Sequence, residues 1–130
     1  MGILIVEDEL LVAMEIEFIL SNNGIPVSGC ASNIAEAQNI VRERDCNFAL
    51  VDINLADGDS GISLARWLAE KNIPSLHVTG NRPASTDATP AIGYLRKPFS
   101  PGELIGSLEA VQAVLNDSTP KSIPSGLALF

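Results

Sequence analysis

Four short apolar runs in this 130-residue chain each end in a residue able to do chemistry. Glu7, Asp8 and Glu9 follow Ile3–Val6, and Asp52 follows Phe48–Val51 with Asn54 two residues further on. Thr79 closes the run Ser75–Thr79, and Lys97-Pro98 comes just after Ile92–Leu95. Crowded carboxylates repel one another unless a hard cation lies among them. Mg²⁺ suits such a set, since it takes one or two carboxylates together with water and a phosphate oxygen. In this reading Asp8 and Asp52 are direct ligands, Glu7 binds directly or through water, and Asn54 gives its backbone carbonyl. The Asp52 carboxylate can then attack a phosphoryl donor and form an acyl phosphate. The Lys97 ammonium would neutralise charge on the equatorial oxygens, and the Thr79 hydroxyl would hydrogen-bond one of them.

Each residue alone has a plainer explanation. Glu7 and Asp8 suit the first turn of a helix, Asp52, Asn54, Asp57 and Gly58 suit turns, and Thr79 is an ordinary strand residue. Their coincidence at the same ends of successive runs favours a site, provided the runs are parallel strands. The intervening stretches supply the helices this requires. The first spans about Leu10 to Ser21, with Leu11, Met14 and Phe18 on one face as the stripe expected to meet the core, and Asn22-Asn23-Gly24 ends it. After a strand at Val27–Cys30, Asn33 and Glu36 mark the start of a helix that runs to about Arg44 and buries Ile34, Ala37 and Val41. Ser60 is placed to cap a third helix reaching Lys71, and Pro101 opens a last one ending near Asn116.

The expected fold is therefore α/β: a doubly wound, five-stranded parallel sheet of flavodoxin-like type. Sites in such sheets lie at the carboxyl ends of the strands. Between the fourth and fifth strands, Gly80–Ala91 contains Pro83 and Pro90, so a fourth helix there is expected to be short or irregular. Residues 1–116 form the predicted domain. Residues 117–130, with Pro120, Pro124 and Gly126, read as a tail or linker whose Leu127, Leu129 and Phe130 are apolar enough to dock.

Composition narrows the function. With 46% hydrophobic residues the chain can bury a core, and its formal net charge of -8 argues against a nucleic-acid or anionic-lipid surface. No apolar run is long enough to span a bilayer and no signal peptide is evident, so a cytoplasmic protein is expected. Cys30 and Cys46 lack metal-site spacing and are read as reduced thiols. His77, the only histidine, is read as a packed strand residue. Trp67 is expected to be partly exposed on the third helix. A calcium loop at Asp52-x-Asn54-x-x-Asp57-Gly58 fails on spacing, and Ser63 stands where that motif needs Glu. A flavodoxin-like cofactor module is a rival of the same fold, but acids replace the hydroxyl-rich phosphate loop it needs after the first strand.

Ile3-Leu4-Ile5-Val6-Glu7-Asp8-Glu9, Leu50-Val51-Asp52-Ile53-Asn54-Leu55, Val78-Thr79-Gly80 and Tyr94-Leu95-Arg96-Lys97-Pro98-Phe99 together resemble the receiver domains of bacterial two-component response regulators, over residues 1 to about 116. The resemblance implies that Glu7 and Asp8 are the acidic pair, Asp52 the phosphoacceptor, Thr79 the switch hydroxyl, Lys97 the family's lysine and Tyr94 its switch aromatic. It implies a cis Lys97–Pro98 bond, a histidine kinase or phosphotransfer protein as donor, and output through protein contact rather than catalysis on other molecules. Gly80, the short Gly80–Ala91 segment and Pro98-Phe99 resemble an alphaproteobacterial subgroup with a Phe-Ala-Thr-Gly-type motif, partly matched here by His77-Val78-Thr79-Gly80. A stand-alone receiver without a DNA-binding output is expected, as a monomer or weak homodimer. A degenerate receiver serving as an interaction scaffold is the alternative.

Overall fold

A computed structural model describes residues 2–55, 60–80 and 89–130, Ser60 by its backbone alone. Three expectations lie outside the described residues: the turn at Asp57-Gly58, the capping role of the Ser60 side chain, and most of the short or irregular fourth helix.

The chain builds strands β1 (Ile3–Val6), β2 (Val27–Ala31), β3 (Phe48–Val51), β4 (Ser75–Thr79) and β5 (Gly93–Arg96). Between and after them run helices α1 (Leu10–Asn22), α2 (Ile34–Glu43), α3 (Ser60–Glu70) and α4 (Pro101–Leu115). β1, β3 and β4 are buried along their whole lengths, as strands covered on both faces must be. The order β2-β1-β3-β4-β5 is parallel throughout, as expected of a flavodoxin-like doubly wound sheet. A short strand absent from the expected five, β6 (Leu127–Leu129), pairs antiparallel with β5. The alternation of Leu127 and Leu129 about Ala128 lets the tail bury one leucine while its backbone satisfies the sheet edge.

Local signals explain most helix ends. Asn33 caps α2 by accepting from the Glu36 amide at 2.9 Å, while the Glu36 carboxylate accepts from the amide and hydroxyl of Ser32. Ser100 and Glu103 form a reciprocal capping box at the start of α4, with Pro101 in its first turn. Gly24 takes φ +70 just after α1, a conformation that favours glycine.

The first helix departs from the expected facing. Leu11, Met14 and Phe18 are exposed, and the buried residues of α1 are Ala13, Ile16, Ile19 and Leu20. The helix is apolar nearly all round, so the spacing of its leucines does not select the inner face; contact with the sheet does. Ile16 and Leu20 join Ile5, Leu50, Leu76, Leu95 and Leu104 on one side of the sheet. Leu4, Val6, Ala37, Val51, Leu64 and Leu68 form the core on the other. Trp67 is half-buried against that second cluster, with the Lys71 ammonium 5.4 Å and the Arg42 guanidinium 6.0 Å from its ring centre. Both cysteines are free thiols.

Candidate functional site

Parallel register brings the chemistry to one rim. Val6 pairs with Val51, so Glu7 and Asp52 leave adjacent strands side by side. The Asp52 amide donates to the Val6 carbonyl and the Glu7 amide to that of Ala31, both at 2.9 Å. Thr79 ends β4 opposite Arg96, and its carbonyl accepts from the Lys97 amide at 2.9 Å. The Lys97–Pro98 peptide bond is cis, as the resemblance implies.

Within this rim, carboxylate oxygens of Glu7, Asp8 and Asp52 lie within 4.8 Å of one another. Glu7 and Asp52 are buried and Asp8 is exposed, so the cluster opens to solvent on one side. The Lys97 ammonium sits 2.5 Å from Glu7, 3.3 Å from Asp52 and 3.2 Å from Glu9. The Glu9 bridge was not foreseen in sequence. Glu9 belongs to the acidic run, but spacing along a strand end does not show which acid reaches across to β5. Asp52 Oδ1 accepts from the Asn54 amide at 3.2 Å, which shapes the turn after β3. Thr79 is buried at the same rim. Tyr94 is set apart from these groups: it lies opposite His77 in the β4–β5 pairing, and its ring is 5.9 Å from that of Phe130.

Burial sets the charge states. It pushes the Glu7 carboxyl up to about 7, and the neighbouring Asp52 charge acts in the same direction, while Lys97 and the Glu9 amide oppose them. Burial pulls Lys97 the other way, but the surrounding carboxylates, Glu7 foremost, outweigh it and hold the ammonium above its ordinary range. Lys97 is therefore charged at neutral pH.

Two further residues pack against the backbone around Asp52. His77 is fully buried, with Nδ1 3.0 Å from the carbonyl oxygen of Val51 and Nε2 2.8 Å from Thr89 Oγ1. A carbonyl only accepts, so Nδ1 carries the proton and Thr89 donates to Nε2. His77 is thus a packed residue, as expected, and it braces the peptide unit that precedes Asp52. Gly61, in the first turn of α3, closely approaches the backbone of Asp52 and Ile53. A Cβ there would fall 2.1 Å from the Asp52 carbonyl oxygen.

The family described as response regulator receiver domain matches residues 3–109. The chain belongs to this family. As a receiver it resembles the aerobic respiration control protein ArcA of Escherichia coli, at 38% identity over 110 residues, 78% of this chain and 44% of that protein. The phyllosphere-induced regulator PhyR of Methylorubrum extorquens is 35% identical over 112 residues, 78% of this chain and 40% of that protein. The receiver thus spans less than half the length of either relative. The solution structure of the Erythrobacter litoralis PhyR receiver domain superposes with a TM-score of 0.77 at 27% identity, covering 94% of this chain and 95% of that one. Receivers are signalling modules that interact with histidine kinases or phosphotransfer proteins, and phosphorylation-based signalling is consistent with the acidic cluster found here. Among the described residues no helix is long and apolar enough to cross a membrane.

Proposed function

We propose that Asp52 accepts a phosphoryl group from a phosphohistidine on a histidine kinase or phosphotransfer protein, in a magnesium-dependent reaction within the cytoplasm. The convergence of Glu7, Asp8, Asp52 and Lys97 on one strand-end rim carries this reading. The donor atoms of the cluster are all carboxylate oxygens, the hard set magnesium prefers. Glu7, Asp8 and Asp52 would hold the ion, with the Asn54 carbonyl as a further ligand. When bound, magnesium supplies positive charge to the phosphoryl oxygens.

The chain's own residues do the rest. An Asp52 carboxylate oxygen forms a bond to phosphorus as the bond from phosphorus to the donor imidazole nitrogen breaks, and the electron pair leaves with the imidazole. Lys97 stands 3.3 Å from Asp52 and contributes a point charge to the oxygens of the transferring group. The Asn54 amide holds one Asp52 oxygen at 3.2 Å, which orients the other for attack. Thr79 would bind a phosphoryl oxygen of the product, and Tyr94 would follow that movement as the switch aromatic. Output then passes through protein contact.

Incubation with acetyl phosphate and Mg²⁺ should add about 80 Da, one phosphoryl group, to the intact protein. The gain should vanish in Asp52→Ala. No gain, or a gain that survives this substitution, would overturn the assignment.

A further inference from the structure

The edge of β5 is not left open. Residues 126–130 lie along it, with Gly93 opposite Leu129, Tyr94 opposite Ala128 and Leu95 opposite Leu127. The Arg96 amide donates to the Gly126 carbonyl at 3.0 Å, and the Phe130 amide to the Ile92 carbonyl at 2.9 Å. Leu127 is buried with Leu95 and Leu104 in the core, and the Phe130 ring packs on Tyr94. Gly93 is required for this approach: a Cβ at that position would meet the Ala128 carbonyl oxygen at 2.2 Å. The fit is that of a specific strand-binding groove, with pairing, a side-chain pocket, an aromatic contact and a glycine that admits the incoming backbone.

The resident strand is short. β6 has three residues, and among the described residues β5 is its sole neighbour in the sheet. A tether that includes Pro120 and Pro124 joins it to α4. Such an edge element opens more readily than the central strands, and its departure exposes unpaired backbone and a leucine-sized hollow.

We propose that the β5 edge is a strand-acceptor site, filled in cis by residues 126–130, and that the same segment of a second copy of this chain is its alternative occupant. A second copy carries the identical segment, so every contact named above is reproduced and only the path of the tether changes. The tether gives the cis segment a high effective concentration, so exchange emerges when cis docking is blocked or the protein is concentrated.

Two variants of the chain test this. Gly93→Ala closes the acceptor edge but leaves an intact segment. Leu127→Asp spoils the segment but leaves an open edge. Each alone should sediment as a monomer, and their mixture should form a heterodimer that associates roughly tenfold or more tightly than either variant with itself, since cis competition is gone. Two monomers in the mixture, with both variants melting cooperatively, overturn the proposal. Should Leu127→Asp fail to melt cooperatively, Leu129→Asp, at a half-buried position, takes its place under the same criteria. Hydrogen exchange on the unaltered chain supplies a check that needs no variant. The Arg96 and Phe130 amides should exchange through a local opening, faster than the Asp52 amide bound to β1. If they exchange only with global unfolding, the strand does not lift and the proposal fails.

Discussion

At the scale of single residues, His77 shows how a buried polar side chain can serve a site without touching the reacting atoms. Its two ring nitrogens join the carbonyl that precedes Asp52 to Thr89, in the β4–β5 connection. Replacing it with leucine leaves that carbonyl and hydroxyl without their partner, and His77→Leu should cost about 1–3 kcal/mol in urea unfolding at pH 8. Burial holds the imidazole below its ordinary value of 6.5. The unfolded chain therefore takes up a proton near 6.5, while the folded chain resists until lower pH. The histidine's contribution is complete above that value and is lost as pH falls below it. The gap between the unaltered chain and His77→Leu should narrow between pH 8 and pH 5; a constant gap would refute the linkage. The carboxylates and Lys97 were legible because each ends a run whose apolar composition marks it as a strand. The reach of Glu9 to Lys97 and the His77–Thr89 bond were not. They depend on which side chains meet across elements 88 and 12 residues apart, which no local pattern encodes.

At the scale of elements, α1 and β6 mark what sequence patterns leave undecided. In α1 the apolar residues nearly encircle the helix, so several stripes satisfy the same periodicity. The sheet selects Ile16, Ile19 and Leu20 and leaves Leu11, Met14 and Phe18 in solvent. Leu11→Ser and Phe18→Ser should each shift stability by no more than ~0.5 kcal/mol, as for surface positions. Ile16→Ala should cost ~2–5 kcal/mol through a core cavity. Chemical denaturation of the three variants checks the facing directly, and reversed magnitudes would restore the stripe expected from spacing. α4 was readable from Pro101, and the structure adds a capping box of Ser100 and Glu103 that fixes its start through local bonds. Ser100→Ala should therefore lose ~0.5–2 kcal/mol in the same assay. β6 is too short for a strand signal and follows two prolines. Its leucines announced that the segment would dock, and only the free edge of β5 determined where.

For the whole molecule, the expected doubly wound sheet stands because a continuous apolar run, a helix and a return to parallel pairing recur along the chain. The sixth strand extends that plan at one edge without disturbing it. The acidic rim places carboxylates together in an already acidic chain, so a divalent cation should stabilise the fold. At a hundredfold excess over its dissociation constant, Mg²⁺ should add ~2.7 kcal/mol by mass action. Thermal unfolding with and without Mg²⁺ should show a rise in Tm that is strongly reduced in Asp8→Asn. An equal rise in both proteins would remove Asp8 from the ligand set. Gly61 has a mechanical consequence on this scale. With no side chain between them, the first turn of α3 rests on the peptide units of Asp52 and Ile53 like a beam on its bearing. A displacement of the Asp52 or Ile53 peptide unit toward α3 would carry that helix with it. Through Leu64 and Leu68 that helix grips the core on one side of the sheet, so a force applied at a single carboxylate is transmitted to a whole layer of the protein.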